Sequence, residues 1–145
     1  MTTFYSIDAA NDRLPEVREI LERLRQQRAD LIRLRDDLAA RTASVAEGRS
    51  PVGIAEDGVT VDLDTVLRRA KLRMQGLVDQ MQAGVIQLDA WGITLRDIET
   101  GLIDFPAIAS GRQVWLCWRL GEGDVGWWHE LEAGFGGRRP LIDLT

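Results

Sequence analysis

The spacing of apolar residues changes at Gly92, and this change limits the possible folds more than any other feature of the chain. Before Gly92, apolar residues recur every three or four positions, the spacing that gives a helix one buried face. After Gly92, short runs rich in aromatic and β-branched residues are separated by glycine-containing turns, which is typical of antiparallel strands. The sequence therefore predicts an α+β protein, helical first and a β-meander afterwards.

A long first helix is predicted from Pro15 to about Glu47. Its apolar positions are Val17, Ile20, Leu21, Leu24, Leu31, Leu34, Leu38 and Val45. Ser6 is expected to cap a short helical turn, Ile7 to Arg13, that precedes it. Because proline lacks an N–H donor and clashes with the preceding turn, we expect Pro15 to introduce a kink or a brief break.

A second helix is predicted to begin at Asp62 or Asp64 and to stop at Gly92. The segment before it, GRSPVGIAEDGVT at residues 48–60, is expected to be a mobile surface loop. The second helix carries its own apolar stripe and contains Gly76 and Gly84, which weaken a helix unless they allow a close crossing. The two stripes most simply pack together as a long antiparallel helical hairpin.

The last part of the chain predicts a small sheet. The strand-like runs are GLIDFPAI, QVWLCWRL and VGWWHEL, and the glycine-rich tail GFGGRRPLIDLT is expected to fold back. We interpret residues 1–145 as a single domain, with the helical hairpin at 5–91 and the β-meander and tail at 92–145. The hairpin would pack on an antiparallel sheet of three or four strands.

Four of the five tryptophans lie in QVWLCWRLGEGDVGWWHE, residues 113–130. If Gly121 to Asp124 forms a hairpin loop, side-chain alternation divides this segment between two faces. One face would hold Leu116, Trp118, Trp127, His129 and Leu131. The other would hold Trp115, Cys117, Arg119, Trp128 and Glu130. An exposed face of the second kind is unusual in a lone monomer, so either the tail or a second copy covers it, or a ligand binds to it.

Composition limits the cellular compartment and the classes of partner that we expect. The 145 residues are 45% hydrophobic, carry a net charge of −5 and include one cysteine. The acidic balance disfavours nucleic acid, no segment is apolar enough to span a membrane, and the opening lacks a signal-peptide pattern. A single cysteine suits a reducing compartment, so we expect a cytoplasmic protein.

Long motifs in the chain resemble the family known as domain of unknown function 2203. They are FYSIDAANDRLPEVREIL at the start, then GLIDFPA, LCWRLGE and WWHELEAGFGGRRPL. The likeness covers essentially the whole chain and is weakest at residues 48–60. It implies a small bacterial or archaeal protein with a helical first half, without implying an activity. The polar residues at the matching positions are Asp104, Arg119, Glu122, His129 and Arg138.

Two functions remain open. The first is a noncatalytic binding or assembly module that recognises a protein or small molecule with Trp115, Arg119, Trp128 and Glu130, and an anion with Arg138. The second is a small enzyme that uses His129 with Asp104 and Glu122 as acid–base groups, with a divalent metal as an option.

We expect no cofactor and no metal. The chain has only one histidine, and Glu130 and Glu132 would point away from it if this stretch is a strand. The predicted register also places Cys117 and His129 on opposite faces, which disfavours a thiolate–histidine nucleophile. We also expect a homodimer. The first helix approximates coiled-coil spacing over Val17, Leu21, Leu24, Arg28, Leu31, Arg35 and Leu38, but the two arginines weaken a simple coiled coil. The expected interface is therefore the second apolar edge of the helical hairpin.

Overall fold

The computed structural model describes residues 3–47, 52–54 and 60–144. The elements follow in the order α1 (Ile7–Ala46), β1 (Val52–Ile54), β2 (Thr60–Asp62), α2 (Leu63–Ala90), β3 (Thr94–Asp97), β4 (Leu102–Ala109), β5 (Arg112–Arg119), β6 (Trp127–His129) and β7 (Arg139–Pro140). Short 3-10 turns at Phe135–Gly137 and Leu141–Asp143 flank β7. The predicted α+β class is confirmed, and so is the switch from helix to strand at Gly92.

The chain forms two compact units. Unit 1 contains residues 1–26 and 82–145, and unit 2 contains residues 27–81. Unit 1 therefore holds the first part of α1, the last part of α2 and the whole five-stranded sheet. The single-domain interpretation stays a prediction.

The first helix begins where the sequence predicts, at a serine cap. Ser6 Oγ accepts a hydrogen bond of 3.0 Å from the Ala9 N–H, which satisfies one of the free donors of the first turn. The helix then continues through Pro15, so the brief break is wrong, and the alternative, a kink, stays a prediction. Loss of one N–H donor is tolerated here because Leu14 and Val17 on either side are buried in the core of unit 1.

The second helix is bounded by two signals that the sequence contains. Asp62 accepts a hydrogen bond of 2.8 Å from the Thr65 N–H, so Asp62 rather than Asp64 is the cap, and this bond lowers the pKa of its carboxyl. At the other end Gly92 has φ of +75°, and the Ile93 N–H bonds the Leu88 carbonyl at 2.9 Å. This is the Schellman arrangement, in which glycine relieves the strain of a left-handed residue.

One of the two glycines inside α2 allows a close helix contact. A Cβ atom added at Gly84 would lie 3.2 Å from Leu24 Cδ2, whereas one added at Gly76 would meet nothing within 4 Å. Gly84 therefore lets α1 and α2 approach within unit 1, as expected, and Gly76 does not serve this purpose.

The main sheet has five strands in the antiparallel order β3-β4-β5-β6-β7, because the tail adds an edge strand. Strands β4 and β5 pair over their whole length and are joined by Ser110 and Gly111. Both linking residues have positive φ, 52° and 75°, as a type I′ hairpin requires. The fifth strand forms when the tail folds back and pairs Trp127 with Pro140.

The predicted register between β5 and β6 is wrong by one residue. The pairs are Trp115 with His129, Leu116 with Trp128 and Cys117 with Trp127. The connection spans residues 120–126 instead of closing at Gly121 to Asp124, and hydrogen bonds to several parts of unit 1 hold it. Glu122 accepts from the Arg119 N–H, the Trp118 indole donates to the Gly123 carbonyl, and the Val125 N–H donates to the Asn11 side chain.

This slip exchanges the faces of the β6 side chains. Trp118 and Trp128 lie on the face that packs on the helices of unit 1, where both are at most 2% exposed. That face also carries Ile103, Phe105, Ala107, Val114 and Leu116. Trp115, Cys117, Trp127 and His129 share the other face, which we call the polar face of the sheet.

Unit 2 consists of parts of both helices and the small β1–β2 ladder, which pairs Val52 with Asp62. Gln27 is the one buried side chain among those of unit 2 whose burial is described, and its amide donates to Gln80 Oε1 at 3.3 Å. The mobile loop predicted at residues 48–60 otherwise lies outside the described residues. No helix in the described ranges is long and apolar enough to cross a membrane.

The turn at Gly101 gives a stability prediction. Gly101 has φ of +68°, and an added Cβ would lie 2.5 Å from Leu120 Cβ, whereas Gly111 has φ of +75° with open space around it. Gly101→Ala is therefore expected to lower the free energy of unfolding by at least about 2 kcal/mol, from backbone strain plus overlap. Gly111→Ala should cost only the strain, about 1–2 kcal/mol. Urea denaturation of both variants checks this, and equal losses would contradict the packing argument.

Candidate functional site

Three chemically active side chains meet on the polar face of the sheet. Asp104 lies on β4, Cys117 lies directly opposite it on β5, and His129 lies on β6. The carboxylate oxygen, the sulfur and a ring nitrogen all lie within 4.8 Å of one another. All three residues are at most 3% exposed, so each polar atom needs a partner inside the protein.

His129 is held at both ring nitrogens. Its Nδ1 lies 2.8 Å from the Glu130 carbonyl oxygen, and its Nε2 lies 3.0 and 3.1 Å from the two oxygens of Asp104. A carbonyl oxygen only accepts, so Nδ1–H donates to it. Nε2 then faces the carboxyl group of Asp104, and this contact joins the two buried side chains.

Arg96 completes the environment of Asp104. Its Nε donates to Asp104 Oδ2 at 2.8 Å, and its guanidinium lies 5.1 Å from the centre of the Trp115 ring. Its side chain is 42% exposed, so Arg96 links the buried carboxyl group to the surface of the sheet. The three groups Arg96, Asp104 and His129 thus form a chain of charge-assisted hydrogen bonds.

Cys117 is a buried thiol in this cluster. Burial raises its pKa to about 12, and the neighbouring Asp104 carboxylate adds to the increase. A thiol with such a pKa is protonated at neutral pH and is a poor nucleophile. The arrangement therefore does not supply a Cys–His nucleophile, although the two side chains are close.

Arginine–aromatic pairs surround the cluster on the polar face. Arg119 lies 5.2 Å from the centre of the Phe135 ring, and Arg138 lies 4.5 Å from Trp127 and 4.6 Å from Phe135. Glu122 holds this layer in place because it accepts a bond of 2.7 Å from Arg138 Nη2. We call Arg96, Trp115, Arg119, Trp127, Phe135 and Arg138 the arginine–aromatic surface.

Two of the residues predicted to bind with Trp115 and Arg119 lie elsewhere. Trp128 is 2% exposed on the helix-facing side, where its indole donates to the Pro140 carbonyl at 3.2 Å. Glu130 pairs with Arg112 on that same side, and the hydrogen bond from Arg112 lowers the pKa of Glu130. The reason is that the predicted register was wrong by one residue, and the observed register places both side chains on the opposite face of the sheet.

The predicted acid–base residues are brought together only in part. Asp104 and His129 are in contact, whereas the Glu122 carboxylate bonds Arg138 and the Arg119 N–H. Arg96 and Trp127 were missed as parts of the site. Arg96 had a detectable signal, since residues 93–96 alternate between apolar and polar side chains and a short turn joins them to the run GLIDFPAI, which contains Asp104.

Comparison with known proteins identifies the family. The model of the family described as "Uncharacterized conserved protein (DUF2203)" matches residues 3–141, so the chain belongs to this family, and the resemblance noted from the motifs is confirmed. No curated protein and no solved structure matches the chain.

The geometry of Cys117 predicts slow alkylation. With 1% exposure and a pKa raised to about 12, the native thiol should react with iodoacetamide at pH 8 at least ~100-fold more slowly than after unfolding in guanidinium. Mass spectrometry of the alkylated fraction over time measures both rates. Equal rates in the two states would show that the thiol is accessible.

The hydrogen bonds of Asp104 predict a large effect of its amide substitution. Asp104→Asn would leave His129 and Arg96 without the carboxylate that they share, so the free energy of unfolding should fall by about 3–5 kcal/mol. Asp124→Asn is the matched control, because Asp124 is exposed and should change stability by no more than about 0.5 kcal/mol. Denaturation curves of the two variants decide the point, and a similar small loss in both would contradict it.

Proposed function

We propose that the protein is a noncatalytic binding module that takes a small planar organic anion on its arginine–aromatic surface. The observation that carries this is Arg119. Its guanidinium is exposed and stacked on Phe135, and it forms no ion pair with any carboxylate in the described part of the chain. An exposed arginine already oriented by a ring is prepared for a bidentate bond to a carboxylate or phosphate.

The rings on this surface favour a planar ligand. Trp127 is 37% exposed and Phe135 is 39% exposed, which is unusual for two large aromatic side chains that contact the same arginine. Because Arg138 stacks on both rings, it keeps them in fixed positions, so a planar ligand loses little to side-chain ordering on binding. The net charge of −5 repels long polyanions, which favours a small anion over nucleic acid.

The alternative is a small enzyme using His129 with Asp104 and Glu122. It receives less support, since His129 and Asp104 are only 3% and 2% exposed and Glu122 is engaged by Arg138. A general acid–base pair must reach its substrate within hydrogen-bond distance. A cytoplasmic location, which the single cysteine favours, is part of the proposal.

Isothermal titration calorimetry with phenyl phosphate, benzoate and inorganic phosphate tests the binding function. Phenyl phosphate should bind more tightly than inorganic phosphate, because its ring adds stacking on Trp127. Arg119→Gln should weaken phenyl phosphate binding at least ~10-fold, the value of a lost charge-assisted hydrogen bond.

Arg112→Gln is the matched control for this experiment. Arg112 is a similarly exposed arginine of the same strand, but its side chain lies on the other face and pairs with Glu130. Its substitution should change the affinity less than twofold. Equal losses in the two variants, or no binding of any probe by the wild-type protein, would contradict the proposal.

A second function, self-assembly through unit 2, is favoured by a separate observation. In this unit the apolar side chains of both helices are at most half-buried, and they line two grooves. The grooves contain Leu31, Ile32, Met74 and Val78, and Leu34 and Leu77 respectively. The second groove also carries Asp30, Asp37, Arg33 and Arg73, and Arg33 bonds Asp30 while Asp37 bonds Arg41. These charges balance, so the groove does not repel the same surface of a second copy. We therefore propose a homodimer as the assembled form.

Light scattering during size-exclusion chromatography tests the dimer. The wild-type protein should elute with twice the chain mass, and Leu34→Glu should shift it toward the monomer by burying a charge at the interface. Ala39→Glu introduces the same charge at an exposed position of the same helix and should leave the dimer intact. A monomeric wild-type protein would overturn this proposal without affecting the anion site.

A further inference from the structure

The corrected register brings together the only cysteine and the only histidine of the chain, with a carboxylate. From this arrangement we propose that Asp104, Cys117 and His129 bind one divalent metal ion, Zn²⁺ or an ion of similar size and ligand preference. The three residues lie on three neighbouring strands of a sheet, so the rigid backbone holds their spacing. Sulfur, imidazole nitrogen and carboxylate oxygen are the ligand types that Zn²⁺ uses in proteins.

The distances are close to those that a tetrahedral ion needs. Bond lengths of roughly 2.0–2.3 Å place neighbouring ligand atoms roughly 3.3–3.8 Å apart in a tetrahedron. The three donor atoms here lie within 4.8 Å of one another, and Nε2 of His129 lies 3.0 Å from Asp104 Oδ1. Side-chain movements of about 1 Å are therefore enough to admit the ion, without a change in the backbone of the strands.

The surrounding hydrogen bonds orient two of the three ligands. His129 Nδ1–H donates to the Glu130 carbonyl at 2.8 Å, which turns Nε2 toward the cluster. Metal-binding histidines generally donate their other N–H to a carbonyl or carboxylate in this way. Arg96 donates to Asp104 Oδ2, which leaves Oδ1 directed toward His129. This second layer distinguishes the cluster from three polar residues that are merely close.

Charge also favours a divalent ion at this position. The two positive charges of the ion are balanced by one thiolate and one carboxylate, so the ion and its three protein ligands carry no net charge together. A buried site accepts such a neutral group at far lower cost than an unbalanced charge. Three protein ligands also leave one position for a solvent or ligand oxygen.

Cobalt substitution gives the sharpest test, because Co²⁺, unlike Zn²⁺, reports its ligands in its absorption spectrum. The full-length chain, purified without a histidine tag and treated with chelator, should bind one Co²⁺ and show a thiolate-to-cobalt charge-transfer band. Since the chain has one cysteine, this band assigns the ion to Cys117. Addition of Zn²⁺ should bleach the band, and elemental analysis after dialysis should then find one zinc per chain.

Variants complete the test. Cys117→Ala should abolish the band, and His129→Gln should weaken Co²⁺ binding by more than the roughly 10–100-fold expected for loss of a supporting group such as Arg96. Glu132→Gln is the control, since Glu132 is an exposed carboxylate three residues from His129 and should leave binding unchanged. Circular dichroism confirms that each variant is folded.

Two results would overturn the site. One is the absence of the charge-transfer band in folded wild-type protein at millimolar Co²⁺. The other is retention of stoichiometric zinc by folded Cys117→Ala. If a variant does not fold, the wild-type spectrum decides alone. The proposal is independent of the anion site, because Arg119→Gln should reduce phenyl phosphate binding and leave the cobalt spectrum unchanged.

Discussion

The pairing of Cys117 with Trp127 determines how polar and apolar groups are divided in unit 1. In a sheet, a shift of one residue moves every side chain of a strand to the opposite face. With the observed pairing, Trp128 completes the core beneath the helices, and His129 reaches Asp104 on the other side. If β6 were shifted by one residue relative to β5, His129 would be buried against apolar residues, and neither of its ring nitrogens would have a carboxylate partner.

The buried polar cluster is stable only because its partners are complete. Asp104 accepts from Arg96 and contacts His129, and His129 donates to the Glu130 carbonyl. A buried charge without such partners costs several kcal/mol, whereas a fully bonded network fixes one conformation. The tail contributes to this order, since β7 pairs with β6 and Arg138 covers Trp127. Strand β6, with only three residues, is thus held from both sides.

The sequence predicted most of the secondary structure, because the signals are local. Ser6 and Asp62 cap the starts of the two helices, and Gly92 stops the second, all through bonds to residues within a few positions. The Ser110–Gly111 turn needs only positive φ. The register of β6 depended instead on distant groups. The 120–126 connection is held in part by the Asn11 side chain on α1, and no short-range pattern reveals such a contact. The brief break predicted at Pro15 is absent for a similar reason, since burial of the neighbouring side chains outweighs the local cost of a proline in a helix.

The sequence identified most residues of the candidate site but not how they are arranged. Asp104, His129, Arg119 and Arg138 were all named as candidates. Cys117 was placed on the opposite face from His129 because the predicted register was wrong by one residue. Once β6 is shifted, Cys117 and His129 lie two residues apart across neighbouring strands, well within reach of one ion. The single histidine and the predicted side-chain directions both argued against a metal, and the corrected register of β6 changes the second of these two grounds.

The arginines show why the two proposed sites can lie together on one face. A guanidinium that stacks on a ring uses its flat surface and leaves its N–H edges available, so stacking and anion binding do not compete. Arg96 uses one edge for Asp104 while stacking on Trp115, and Arg119 keeps its guanidinium edges available while stacking on Phe135. A lysine has no such flat surface and could not do both. The face thus combines a buried cluster suited to a cation with an outer layer suited to an anion, and the Arg96–Asp104 bond connects them.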